Sequence, residues 1–236
     1  MGFPREVTGI INYILDNVTP PVVRDARWFM APLMRVVLGP KYKYYMMFKE
    51  NLHGLSEKDI EEYYELLADT VIDRDTDLNK KCVKFIIDNL IGEKVIDIGC
   101  GRGFLIEKIA GQRKSMQLHG FDYFTPENTR GGVIYQKGSI LNLPYGNKIF
   151  DTVICAHVLE HIRDIQLALS ELKRITKNRL IIVLPKQREY RYTFDLHVHF
   201  FPYLFDVKRF VGSSDAMYCE LGGDWVVLYD VKGDGE

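Results

Sequence analysis

Apolar positions along the chain follow two regimes. Up to about residue 75 they recur at helical spacing, and beyond that they gather into short runs of strand length. Val7, Ile10, Ile11, Ile14 and Leu15 mark one face of a helix over Arg5 to Val18, which Pro20-Pro21 ends. Val22 to Leu38 predicts a second amphipathic helix, closed by Gly39-Pro40. Ser56-Glu57-Lys58-Asp59 opens another in the manner of a capping box, with Asp in place of Glu or Gln. Asp73 to Asp77 reads as an acidic turn, and Asp77 is the expected cap of a helix from Leu78 to Leu90. Strands then alternate with helices. Val95 to Ile98, Ser115 to Asp122, Val133 to Gln136 and a buried run within Leu143 to Ile162 are the first four strands, with a return to helix around His157 to Ile162. A helix from Asp164 to Thr176 leads to a fifth strand, Arg179 to Leu184. Ala216 to Leu221 and Trp225 to Val231, joined at Gly222-Gly223-Asp224, read as a closing β-hairpin. Such alternation predicts an α/β domain with a mostly parallel sheet. Too few residues separate Asp122 from Val133 for the usual crossover helix, so a loop is expected there.

The chemistry starts at Val95-Ile96-Asp97-Ile98-Gly99-Cys100-Gly101-Arg102-Gly103, with a helical pattern from Phe104 onward. A strand that turns sharply into a helix, under a ligand lying across the turn, needs backbone that a Cβ would obstruct. Dinucleotide-binding loops carry G-x-G-x-x-G. Here the spacing is G-x-G-x-G, with Asp97 two residues before the first glycine. A carboxylate at a strand tip repels a pyrophosphate and attracts a cationic aminoacyl group. This stretch resembles motif I of the class I S-adenosylmethionine (SAM) methyltransferases. Asp122, at the end of the second strand, stands where a carboxylate meets ribose hydroxyls.

The segment Leu143-Pro144-Tyr145 … Phe150-Asp151-Thr152-Val153 … Leu159-Glu160-His161 is similar to one in the type 11, UbiE/UbiG-like methyltransferases. The resemblance covers about residues 78 to 185. It implies a Rossmann-like class I methyltransferase fold: a seven-stranded, mostly parallel sheet with a terminal antiparallel hairpin, here with an N-terminal helical extension. It implies SAM as cofactor, held by Asp97, Ile98, Gly99, Cys100, Gly101, Gly103, Asp122 and Tyr123. Gly138, Ser139, Ile140 and His157 complete that set; Ser139 stands where the family often has an acid, and His157 would line the methionine end.

Two domains are expected: an extension or lid over residues 1–75, and a SAM-binding core over 76–236 with a substrate-binding insertion at about 186–212. The insertion, Lys186 to Tyr203, is dense in cations, tyrosines and histidines. It follows a strand's carboxyl end, where open α/β sheets place ligands. Arg27, Arg188, Tyr190, Arg191 and Tyr192 are the expected substrate contacts, and their cations suggest a small anionic acceptor. Oxygen methylation benefits from a general base, and His161, His197 and His199 are the candidates. No resident metal is expected, although His197 and His199 share one face of an extended strand.

A net charge of −1 builds in no general attraction to nucleic acid. The four cysteines have no metal-site spacing, which fits a reducing cytoplasm. No signal peptide or transmembrane segment is visible, and a homodimer stays open as a partner state. Arg24 to Met30 and Tyr192 to Pro202 loosely resemble segments of capsule-pathway methyltransferases, which implies an acceptor from surface-polysaccharide assembly. N-methylation of a small molecule, or a catalytically silent subunit of the same fold, are the alternatives.

Overall fold

The computed structural model describes residues 5–67, 76–126 and 129–231. The chain forms two compact units: residues 1–74 with 187–200, and residues 75–186 with 201–236. The insertion expected at 186–212 is therefore divided. Its first part belongs with the N-terminal segment and its second part with the sheet.

The first unit is helical. Its elements are α1 (Arg5–Asn17), α2 (Pro21–Arg24), α3 (Arg27–Leu38), α4 (Tyr42–Asn51) and α5 (Glu57–Leu67). The single helix expected over Val22 to Leu38 is broken, because the chain is extended at Ala26 before α3 begins. Ahead of α5 the capping box forms with Asp as its acid. Asp59 Oδ2 accepts from the Ser56 amide at 2.6 Å, and the Asp59 amide donates to Ser56 Oγ at 3.2 Å. Leu15, Met30, Met34, Tyr45, Phe48, Tyr190, Tyr192 and Leu196 pack into this unit's own core. Tyr45, Met46 and Phe48 are buried there, while Tyr44 and Met47 face solvent.

The second unit holds α6 (Lys80–Asp88), β1 (Lys94–Ile98), α7 (Phe104–Gln112), β2 (Gln117–Asp122) and β3 (Val133–Lys137). It continues with β4 (Phe150–Ala156), α8 (Ile165–Ile175), β5 (Thr176–Pro185), α9 (Leu204–Val211), β6 (Met217–Leu221) and β7 (Asp224–Asp230). The sheet order is β3-β2-β1-β4-β5-β7-β6. The first five strands run parallel, and β7 pairs antiparallel with both β5 and β6. Strand residues alternate between two apolar layers. Val95, Leu118, Ile154, Ile181 and Val226 meet α6 and α7 on one face. Ile96, Phe121, Val153, Ile182 and Val227 meet α8 and α9 on the other. Truncating a wholly buried side chain such as Ile181 to Ala costs about 2–5 kcal/mol.

Sequence and structure differ locally. The cap of α6 is Asn79, whose side chain accepts from the Lys81 and Cys82 amides, so Asp77 does not cap it. Residues 73–75 of the expected acidic turn lie outside the described residues. After β4 the chain makes only a 3₁₀ turn, Leu159–His161, where a helix was expected. Strand β5 begins at Thr176, ahead of the expected Arg179, through an irregular register beside Phe150 and Thr152. Helix α9 went unforeseen. The β2–β3 connection has no crossover helix among the described residues, as its length predicts.

Candidate active site

The strand order reverses between β1 and β4, so the carboxyl ends of these two strands border the crevice where open α/β sheets bind ligands. The glycine loop leaves β1 there. The Gly99 and Cys100 amides both donate to the Phe121 carbonyl, at 2.7 and 3.2 Å, which ties the loop to the end of β2. Gly99 has φ +78°, and a Cβ on it would stand 2.0 Å from Val158 Cγ2. That contact seats the segment after β4 directly on the loop. Gly103 caps α7 with φ +87°, and a Cβ there would meet the Tyr135 hydroxyl at 2.1 Å. The hydroxyl donates to Glu107 Oε1 at 2.7 Å. Arg130 Nε also donates to Glu107, and its Nη2 donates to the Arg102 carbonyl at 2.8 Å. The loop is thus held in shape from both sides, and Gly101 is the glycine of the loop with open space at its Cβ position.

Two carboxylates define the electrostatics. Asp97 is buried, and burial together with the nearby charge of Asp122 pushes its pKa up to about 8. Without a cation beside it, this group is mostly protonated at neutral pH. An ammonium placed there would restore the carboxylate and be stabilised by it. Asp122 Oδ2 accepts from the Gly101 amide at 2.9 Å, and Oδ1 from the Phe124 amide at 3.0 Å. These bonds fix the Asp122 plane, and each oxygen keeps lone-pair capacity for a hydroxyl donor. The rings of Tyr123 and Phe124 are both partly exposed, as a face for stacking requires. Gly138 lies against Phe121, its amide donating to the Asp122 carbonyl at 3.2 Å. Ser139 Oγ accepts from the Leu141 amide at 3.2 Å, and the Ile140 side chain enters the core. Of these two residues, Ile140 therefore has only its backbone to offer a ligand. This set fits an aminoacyl-nucleoside: an acid for an ammonium, an acid for a sugar diol and the open Gly101 position beside them.

His157 follows β4 with φ +55°, a strained conformation for a residue other than glycine. Its Nδ1 lies 3.4 Å from Glu160 Oε1 and its Nε2 3.5 Å from Asp224 Oδ2. Burial lowers the imidazole pKa, but Asp224 and Glu160 outweigh burial and bring it to about 10. The ring is therefore a cation clasped by two acids, where sequence reasoning assigned it to the cofactor's methionine end. Asp224 Oδ2 also accepts from the Asn79 side chain at 2.7 Å. Asp224 was read only as part of a hairpin turn, although an acid opening a buried strand calls for a partner.

The remaining candidates divide between the units. His161 lies in the sheet unit, its Nε2 3.9 Å from Glu160 Oε1. His197 is buried in the helical unit, its Nδ1 2.6 Å from Gln187 Oε1. The Gln187 amide nitrogen donates to Asp195 Oδ2 at 3.1 Å, which fixes the amide's orientation. Nδ1 of His197 therefore donates to Gln187. His199 is half-buried in the same unit. Arg27 is exposed. Arg188 donates to the Asp16 carbonyl at 3.2 Å, and Arg191 pairs with Glu50 at 2.7 Å. Tyr190 and Tyr192 are only 3 % exposed, as core aromatics of the helical unit.

A profile of the methyltransferase domain family matches residues 96–184. A tRNA U34 carboxymethyltransferase from Campylobacter hominis is 39% identical over 97 residues, which is 36% of this chain and 33% of that protein. A 2-phytyl-1,4-naphtoquinone methyltransferase from Synechococcus elongatus is 29% identical over 100 residues, 36% of this chain and 42% of the relative. The chain thus spans less than half the length of these relatives. An O-methyltransferase family protein from Burkholderia thailandensis shares the fold with a TM-score of 0.51 and 15% identity, over 89% of this chain and 70% of that one. The glycine loop, both strand-tip acids and the Leu159-Glu160-His161 turn all fall inside the matched segment. Residues 96–184 thus match a methyltransferase domain, whose cofactor is S-adenosylmethionine.

Proposed function

We propose that the chain transfers a methyl group from SAM to an oxygen of a small anionic acceptor, a phosphate-bearing or sugar-linked metabolite. The observation that carries this reading is the buried Asp97 at the end of β1, directly before the glycine loop, whose charge is opposed by burial and by Asp122. When bound, SAM supplies a methyl group activated by its sulfonium. Asp97 holds the ammonium, Asp122 holds the ribose, and Tyr123 or Phe124 stacks on the adenine. Alignment and exclusion of water then account for most of the protein's contribution. A base takes the acceptor's proton, and His161 or His197 is the favoured group. Arg188 and Arg191 supply positive charge for the acceptor. The tRNA- and quinone-modifying relatives define the competing acceptor classes.

Release of S-adenosylhomocysteine (SAH) by the purified full chain, against a panel of sugar acids, sugar phosphates, quinols, amines and tRNA, tests the proposal. Turnover with the anionic alcohols supports it. Turnover with amines or tRNA alone, or SAH binding with no turnover at all, contradicts it. His197→Ala is expected to slow transfer while leaving SAH affinity intact, and equal loss of both would refute its assignment as base.

A further inference from the structure

Helix α3 is apolar on two opposite sides. Its inner stripe, Met30, Met34 and Leu38, is buried in the core of the helical unit. A helix that packs one stripe inward normally turns charged and polar residues outward. The outer stripe of α3 instead reads Trp28, Pro32, Arg35 and Val36, all exposed and at the i, i+4, i+7, i+8 spacing of one helical face. Trp28 is 73 % exposed and Val36 77 %, so the core of the unit accounts for neither. The pattern recurs on α1, where Ile10, Tyr13 and Ile14 are exposed although the periodicity predicts Ile10 and Ile14 on a core face. The charge beside these residues has one sign. From Ala26 to Lys49 the chain carries Arg27, Arg35, Lys41, Lys43 and Lys49 and no acid, although its overall net charge is −1. Lys41 donates to the Leu66 carbonyl at 2.7 Å, and Lys49 pairs with Glu189 at 3.0 Å. Arg27 and Arg35 meet no acid among the described residues.

We propose that the outer stripe of α3 docks the helical unit on an anionic lipid surface, with Trp28 and Val36 among the acyl chains and Arg27 and Arg35 at the headgroups. This goes beyond methyl transfer and does not depend on the identity of the acceptor. A tryptophan and an aliphatic residue flanked by arginines, with no acid, is the composition of a helix lying in the membrane interface. An arginine suits that depth, because its stem lies along apolar surface while the guanidinium reaches the phosphates. Among the described residues no helix is long and apolar enough to cross a membrane, so the contact is one of lying on the surface. The charge decides against the other occupants. In a symmetric contact with a second copy each patch meets itself, which would bring Arg27 and Arg35 against their own kind with no acid on α3 to pair them. A nucleic acid would use the arginines, but Pro32 and Val36 gain nothing from a phosphate backbone. An anionic membrane uses both halves of the stripe.

The two tryptophans make the test direct. Trp225 is buried, its Nε1 donating to the Phe201 carbonyl at 2.7 Å, so a change of solvent at an indole reports Trp28. The full chain is titrated with vesicles of phosphatidylcholine alone and of phosphatidylcholine mixed equally with phosphatidylglycerol. On the mixed vesicles the tryptophan emission should move to the blue and be quenched by brominated acyl chains. Partitioning should be about thirtyfold weaker on the neutral vesicles, about fivefold for each of Arg27 and Arg35. Arg35→Gln should lose about fivefold on the mixed vesicles and nothing on the neutral ones. Val36→Glu should abolish the shift while leaving SAH affinity and the circular dichroism spectrum unchanged, which separates lost docking from lost folding. No partitioning into mixed vesicles, equal partitioning into both kinds, or full binding by Val36→Glu would each overturn the inference. So would a blue shift that grows with protein concentration in the absence of lipid, since a second copy would then cover the stripe.

Discussion

Lowering the pH from 7.0 to 5.5 should weaken SAH binding about thirtyfold, because an ammonium needs Asp97 ionised and the group titrates near 8 in the empty protein. Burial is the main cause of that shift, followed by Asp122. The same displacement acts on stability. The unfolded chain ionises Asp97 near 3.8, whereas the folded chain keeps the proton until about 8. Stability of the empty protein therefore falls between these values as pH rises, by about 1.4 kcal/mol per pH unit from this group alone. Asp97→Asn removes the charge and should raise the empty protein's stability at pH 7 by as much as about 4 kcal/mol. The substitution should also abolish the pH dependence of SAH binding and most of the affinity. Calorimetry in buffers of different ionisation enthalpy reads the linkage directly: about one proton should leave per SAH bound near pH 6.5. Binding that neither releases protons nor weakens at pH 5.5 would refute the charge argument, as would an Asp97→Asn variant that binds SAH like the native chain.

Two further outcomes test the rest of the site. Asp122→Asn removes the charge that accepts the Gly101 and Phe124 amides; SAH affinity by calorimetry should fall by about 1–3 kcal/mol. Unchanged affinity would remove Asp122 from the ribose contact. His157 is held protonated to about pH 10, so its clasp is fully present below the unfolded value of 6.5 and is lost as pH rises through 10. Urea unfolding between pH 7 and 9.5 should show that decline, and His157→Asn, which tolerates positive φ, should flatten it.

Local features of the site were legible in the sequence, and long-range pairings were not. Gly99, Gly101 and Gly103 declare the loop because the turn and its ligand act on adjacent residues, and Asp97 and Asp122 mark strand tips set by apolar runs. The Asp59 capping box and the hairpin at Gly222-Gly223 are equally local. The clasp around His157 is not legible locally, because Asp224 is brought to it by the β5–β7 pairing, which no local pattern announces. Tyr190 and Tyr192 sit among cations and look like binding groups, yet their rings fill a core. Helix α9 was hidden for a related reason: its residues follow so many functional side chains that the whole span read as a binding loop. Asn79 displaced Asp77 as a cap because the Asn79 side chain also bonds Leu221 and Asp224, contacts made only in the folded sheet.

A crystal structure of the full chain with SAH tests the central claim most directly. The account predicts the ammonium within hydrogen-bonding distance of Asp97, the ribose hydroxyls on Asp122, and the nucleoside lying across Gly99 to Gly103. SAH bound anywhere else, or a glycine loop that stays closed to it at saturating concentration, would contradict it.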